Sequence, residues 1–169
     1  MYKRQGILNA DDVFAHENVL IHIAEKFKED QNDSLYADLQ YVNSTKVIRH
    51  WNSGSYKINN WYWGWMPPHP TFYVKRELYA KFGNFNTELK LAADYEIMLR
   101  FLLKHKISAS YLPEVTVKMA VGGVSNKSIK NRLLANQEDK KAWTINNLSM
   151  PFYLPLLKPL RKVMQFLKK

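Results

Sequence analysis

Four short stretches carry side chains whose types and spacing suit chemistry. Asn9-Ala10-Asp11-Asp12 sets two carboxylates side by side at the end of an apolar run, as hard oxygen donors. Leu91-Ala92-Ala93-Asp94-Tyr95-Glu96 opens a helical pattern with Asp94 in its first turn. The free N–H groups and the dipole there favour an ionised carboxylate, and one facing a cleft is suited to take a proton from a sugar hydroxyl. An Asp at that position equally serves as a plain helix cap. His69 sits inside Met66-Pro67-Pro68-His69-Pro70, where the prolines fix an extended link and hold the imidazole in a defined place. Gly122-Gly123-Val124-Ser125-Asn126 is a turn whose backbone N–H groups can approach phosphate or sugar, and it serves equally as an ordinary turn. It lacks the spacing and the following Lys-Ser/Thr of a phosphate-binding loop.

The elements that must position these groups follow from periodicity and turn chemistry. Gly6–Asn9 reads as the end of a buried strand. Val13–Lys28 reads as an amphipathic helix with Val19, Leu20, Ile23, Ala24 and Phe27 on one face. Asp11 or Asp12 then either caps that helix or faces a site. Ser34–Asn43 and Lys46–Trp51 are predicted as a hairpin about Asn43-Ser44-Thr45, with Asp38 a solvated strand charge. Trp51 to Trp65 is crowded with aromatics, which either stack on a sugar or fill a core. Thr71–Val74 is predicted as a strand and Lys75–Phe82 as a short helix. After the turn-rich Gly83-Asn84-Phe85-Asn86, the spacing of Tyr95, Met98, Leu99, Leu102 and Leu103 predicts a helix with one buried face. Ser108–Leu112 and Val115–Ala120 read as strands around Pro113, and Ser128–Ile145 as a helix. Leu156–Lys169 is two-faced, with Leu156, Leu157, Leu160, Val163, Met164 and Leu167 opposite Lys158, Arg161, Lys162, Lys168 and Lys169. That pattern suits an interfacial helix on anionic lipid or a helix packed on a neighbouring domain.

The chain has 169 residues, 46% of them hydrophobic and 14% aromatic, enough to build a core and unlike a disordered composition. It has no cysteine, which excludes disulfides and cysteine-ligated metal and agrees with a reducing compartment. The net charge is +10, and no acidic residue follows Asp139 while seven basic ones do, so much of the excess belongs to the C-terminal stretch. A basic, aromatic-rich nucleic-acid binder would explain the charge and the tryptophans, but it leaves N-A-D-D and A-A-D-Y-E without a role, so nucleic acid is not an expected partner.

Phe82–Leu102, FGNFNTELKLAADYEIMLRFL, resembles the acceptor-side signature of bacterial family-2 glycosyltransferases of GT-A type. ILNADDVF, MPPHPTFYVKRELY and GGVSNKS resemble further segments of that family, in the same order. The resemblance implies an α/β fold, an incomplete GT-A, Rossmann-like mixed sheet with flanking helices, followed by a C-terminal amphipathic helix. It implies Asp94 as catalytic base, Asp11 as ligand to Mg²⁺ or Mn²⁺, and Asn9, Asp12, Gly122, Gly123 and Ser125 on the donor side. Trp65 and His69 are then expected toward the acceptor. Asn9 stands where many members carry a first Asp. The implied reaction is inverting transfer from a nucleotide-diphosphate sugar to a sugar or lipid-linked acceptor in surface polysaccharide assembly. The implied setting is cytoplasmic, peripheral on the inner face of the membrane through the C-terminal helix. Residues 1–5 read as a non-native start, 6–147 as the acceptor-side part of a transferase domain without its nucleotide-binding half, and 148–169 as a basic tail. The competing expectation is an inactive remnant or scaffold.

Overall fold

The computed structural model describes residues 4–44, 46–121, 129–158 and 160. It has a six-stranded mixed sheet with helices on both faces, as the sequence predicts for the fold class. The strands are β1 (Arg4–Gln5), β2 (Val13–Phe14), β3 (Ser34–Asn43), β4 (Lys46–Trp51), β5 (Tyr73–Lys75) and β6 (Ala109–Ala120). The helices are α1 (Val19–Asp30), α2 (Arg76–Phe82), α3 (Ala93–Met98) and α4 (Ile129–Ile145). Among the described residues, no helix is long and apolar enough to cross a membrane.

β3 is the spine. Its first six residues are all buried, the near-continuous burial of a central strand covered on both faces. β6 runs parallel to it along nearly its whole length, while β5 and then β4 pair with it antiparallel on the other side. Successive residues point to opposite faces. Tyr36 joins a large core with Trp61, Trp65, Phe72, α3 and Trp143 of α4, whereas Leu35 joins a small one with Val19, Ile23 and Phe27 of α1.

Several expected elements take a different form. Gly6–Asn9 forms no strand: among the described residues nothing runs alongside to accept its ladder bonds, and pairing falls instead on Arg4–Gln5 against β5 and Val13–Phe14 against β6. The helix predicted from Val13 therefore begins at Val19, after Asn18, so neither Asp11 nor Asp12 caps it. The two strands expected around Pro113 are one strand whose register shifts, Ala37 facing Leu112 and Asp38 facing Val115. α3 is buried all round, not on one face. Past Met98 it widens to π-helical bonding through Lys104, closed by the His105 N–H donating to the Arg100 carbonyl at 2.9 Å.

In the described part of the C-terminal stretch, Lys158 departs from the expected two-faced pattern. Residues 154–158 make a helical turn with Leu154 fully buried, and Leu156 is 72% exposed. Lys158 does not join a basic outer face. Its ammonium lies 3.5 Å over the Tyr95 ring and 2.5 Å from an Asp139 carboxylate oxygen. Residues 161–169 lie outside the described residues.

Candidate functional site

Asp94 lies in the first turn of α3, where its Oδ1 accepts the Tyr95 N–H at 2.8 Å. The chain leading into that turn is fixed from α4. Glu138 is buried, and its carboxylate accepts the N–H groups of Lys90, Leu91 and Ala92 at 3.0, 2.7 and 2.9 Å. Charge-assisted bonds of this kind are about twice as strong as neutral ones. Two residues on, in the same turn, Glu96 is buried and paired with Arg100 at 3.0 Å through both oxygens, and it also accepts Asn146 Nδ2 at 2.8 Å. Arg100 donates in turn to the carbonyls of Phe82 and Asn84. Gly83 is needed between them: its φ is +94°, and a Cβ there would lie 2.7 Å from the guanidinium. Every group that sets the position of Asp94 is thus itself held.

The second carboxylate pair sits on the turn before β2. Asp11 is exposed and Asp12 is 5% exposed. Asp12 Oδ2 accepts Asn9 Nδ2 at 2.8 Å, and the Asp12 N–H closes the turn on the Asn9 carbonyl at 3.1 Å. Its Oδ1 is buried without a hydrogen-bond partner, the Ala120 amide coming close enough only to steady its charge. Burial, reinforced by repulsion from Asp11, raises the Asp12 pKa above the ordinary carboxylate value despite the Asn9 bond. A buried orphan oxygen beside an exposed carboxylate is a donor set that fits a hard divalent cation. Asn9 serves as a donor to Asp12 here, with its amide nitrogen turned to the carboxylate.

Electrostatics links the two halves through Tyr41 of β3. Burial raises the Tyr41 pKa, Arg49 opposes the rise, and the charges of Asp12 and Asp94 are both felt there. The Arg49 guanidinium lies 3.8 Å over the Tyr41 ring and 5.7 Å over that of Trp51. His69 belongs to the same group. Burial lowers its pKa and the Asp94 charge pulls the other way, while its ring meets Phe85 edge-on. Tyr41 thus feels the charges of both Asp12 and Asp94, and His69 that of Asp94.

Other expected residues fall elsewhere. Trp65 is 4% exposed, packed against Tyr36, Tyr56 and Trp61, with its indole N–H donating to the Ser53 carbonyl at 2.8 Å. It is a core residue here, with no face left for an acceptor sugar. Asp38 is likewise no solvated charge. It is buried, accepts the Ser53 N–H at 2.8 Å and takes the Tyr111 hydroxyl on both oxygens at 2.9 Å. Burial raises its pKa, and that of the Tyr111 hydroxyl is pushed up to about 12 by burial and the Asp38 contact. Gly122, Gly123 and Ser125 lie outside the described residues. Arg49 and Glu138 carry no signal of their own in the sequence, although the hairpin register places a residue of β4 against Tyr41.

A separate apolar groove of about 570 Å³ runs between the N-terminal segment and α1, lined by Ile7, Leu8, Leu20, Ala24, Phe27 and Tyr73 among others. It accounts for the outer part of the predicted α1 face, because Leu20 and Ala24 are exposed to it rather than packed.

No protein family matches the chain by sequence, and no curated protein does. Among solved structures, the crystal structure of S. aureus TarS, a glycosyltransferase, is similar to it with a TM-score of 0.55 at 17% identity. The similarity covers 83% of this chain and 26% of that one, so the chain spans about a quarter of its structural neighbour. The chain has a glycosyltransferase-like fold.

Proposed function

We propose that this chain is the acceptor side of a sugar transferase that moves a sugar from a nucleotide diphosphate to a hydroxyl with inversion. The observation that carries the reading is Asp94 in the first turn of α3, with the chain before it fixed by the buried Glu138, inside a glycosyltransferase-like fold. Asp94 takes the acceptor proton as the hydroxyl oxygen attacks the anomeric carbon and the bond to the nucleotide diphosphate breaks. Asp11 and Asp12 hold Mg²⁺ or Mn²⁺, which when bound offsets charge on the departing diphosphate. Arg49, fixed on the Tyr41 and Trp51 rings, adds positive charge on the same side. His69, kept toward its neutral form by burial, serves as a hydrogen-bond partner rather than a cation. In the finer form of the reading, the enzyme belongs to family 2 and builds surface polysaccharide on a lipid-linked acceptor. The exposed Phe152 and Trp63, each packed on the half-buried Tyr153, then sit toward an anionic membrane.

The test pairs transfer with a readout that does not need turnover. The chain is joined to a donor-binding half and assayed with uridine, guanosine and thymidine diphosphate sugars and Mn²⁺, with and without Asp94→Asn. The substitution should cut transfer at least about a hundredfold and leave donor binding largely intact. The same substitution removes the negative charge that raises the His69 pKa, so the ring should titrate at lower pH by nuclear magnetic resonance. Turnover within about tenfold of the parent overturns the base assignment. Absence of transfer from every donor favours a scaffold.

A further inference from the structure

Away from these carboxylates, three side chains from three parts of the chain converge with no role in the reading above. His16 lies on the loop between β2 and α1, His22 in the first turn of α1, and Glu114 on β6 beside Pro113. His16 Nε2 is 2.5 Å from Glu114 Oε1, and His22 Nδ1 is 2.9 Å from Oε2. The rings stand 5.4 Å apart, tilted by 51°, and the three donor atoms all lie within 4.8 Å of one another. Among the described residues, no lysine or arginine pairs with Glu114; both its oxygens face imidazoles. Along β6, Glu114 is six residues from Ala120, which adjoins Asp12, or about 20 Å at the usual rise of a strand. The two clusters are therefore separate.

We infer that His16, His22 and Glu114 form a site for a divalent transition ion, Zn²⁺ in the first place, that ties the start of α1 to β6. Two imidazoles and a carboxylate are a borderline donor set suited to Zn²⁺, and three protein ligands leave a fourth position for water. Tetrahedral coordination at Zn–N and Zn–O lengths of about 2.0–2.2 Å sets donors about 3.3 Å apart. The pairs at 2.5 and 2.9 Å need to open by less than about 1 Å to reach that spacing. Their backbones are already placed. Val13 and Phe14 pair with β6, the Ala15 N–H donates to the Thr116 carbonyl at 2.9 Å, and Val19 and Ile23 anchor α1 in the small core. One local contact must yield. His16 Nδ1 accepts the Asn18 N–H at 3.3 Å, which puts the ring proton on Nε2. Ligation through Nε2 moves that proton by way of solvent to Nδ1 and releases Asn18, a long and weak bond. The His22 proton passes likewise by way of solvent from Nδ1 to Nε2, and Glu114 exchanges two imidazole N–H donors for the ion.

The experiment uses the whole, untagged chain, stripped with a chelator and titrated with Zn²⁺ against a chromogenic competitor. One equivalent should bind with micromolar or tighter affinity. In parallel nuclear magnetic resonance spectra, the ring signals of His16 and His22 should move while those of His50, His69 and His105 stay. His22→Gln and Glu114→Gln should each weaken binding at least about tenfold, and His50→Gln should leave it unchanged. Binding weaker than about 100 µM, unmoved His16 and His22 signals, or equal affinity in His22→Gln would overturn the proposal. Because the wild-type spectra decide the matter alone, a variant that fails to fold does not rescue it.

Discussion

The two halves of the candidate site are built by opposite means. Around Asp94, α3 is packed into the large core and its carboxylates are paired: Glu96 with Arg100 and Asn146, Glu138 with three backbone amides, while the Tyr95 hydroxyl accepts the Trp143 indole N–H at 2.8 Å. Around Asp11 and Asp12, the chain leaves the sheet, an acidic oxygen is buried without a partner, and the adjoining helix turns part of its apolar face to an open groove. The first half holds its charged groups with partners of its own, the kind of mount the proposed role of Asp94 requires. The second holds groups whose stabilising counterpart is not among the described residues, a pattern common where a site takes up charge from a ligand. Structural stability and the capacity to bind are thus separated in space, and substitutions should sort accordingly.

The sharpest separation is expected at Glu96. Glu96→Ala leaves the Arg100 guanidinium, which is itself largely buried, without its carboxylate, and should cost about 3–5 kcal/mol in urea unfolding. A loss below about 1 kcal/mol would mean that the α3 interior is not fixed by this pair. Glu138→Gln comes next. It removes the charge that gathers the Lys90, Leu91 and Ala92 amides, and should cost about 1.5–3 kcal/mol. Those three amides should exchange with solvent faster than the body of α3. Unchanged exchange there would remove Glu138 as the residue that positions Asp94.

On the other half the signs differ. Asp12→Asn should stabilise the protein at neutral pH by about 2–4 °C in melting temperature. The sign follows from burial: the folded state raises the Asp12 pKa, so its charge costs stability above that raised value, and the cost fades as pH falls to the ordinary carboxylate range. The gain from the substitution should therefore shrink on acidification. A gain that grows toward acid pH would show the carboxylate to be satisfied in the fold. The smallest effect belongs to Leu20→Lys, where a side chain 56% exposed over the groove is replaced. Stability should change by less than about 0.5 kcal/mol, while light scattering and binding of a hydrophobic dye fall. A loss of 2 kcal/mol or more would show that this face is covered in solution.

What the sequence by itself determined was local. The hairpin at Ser34–Asn43 and Lys46–Trp51 was legible in turn composition, and the presence of helices about Asp94 and over Ile129–Ile145 in their local sequence, though not which faces they bury. Such signals concern residues a few positions apart, where backbone sterics and a single apolar stripe decide the outcome. The tertiary structure decided whatever depends on a distant partner. Trp65 and Asp38, read as a sugar platform and a surface charge, became core because Tyr36, Ser53 and Tyr111 close over them from elsewhere in the chain. Gly6–Asn9 has a strand's composition but, among the described residues, no strand pairs with it. Counting back from the hairpin turn sets Tyr41 opposite Ile48, but a register shift between Tyr41 and Val42 sets it opposite Arg49, and that slip puts a guanidinium on the ring between Asp12 and Asp94. A bulge follows from how both strands pack on their neighbours rather than from either strand's own residues. His16 and His22 meet Glu114 for the same reason: a carboxylate 92 positions beyond His22 becomes a neighbour only once β6 has paired with β3 and β2.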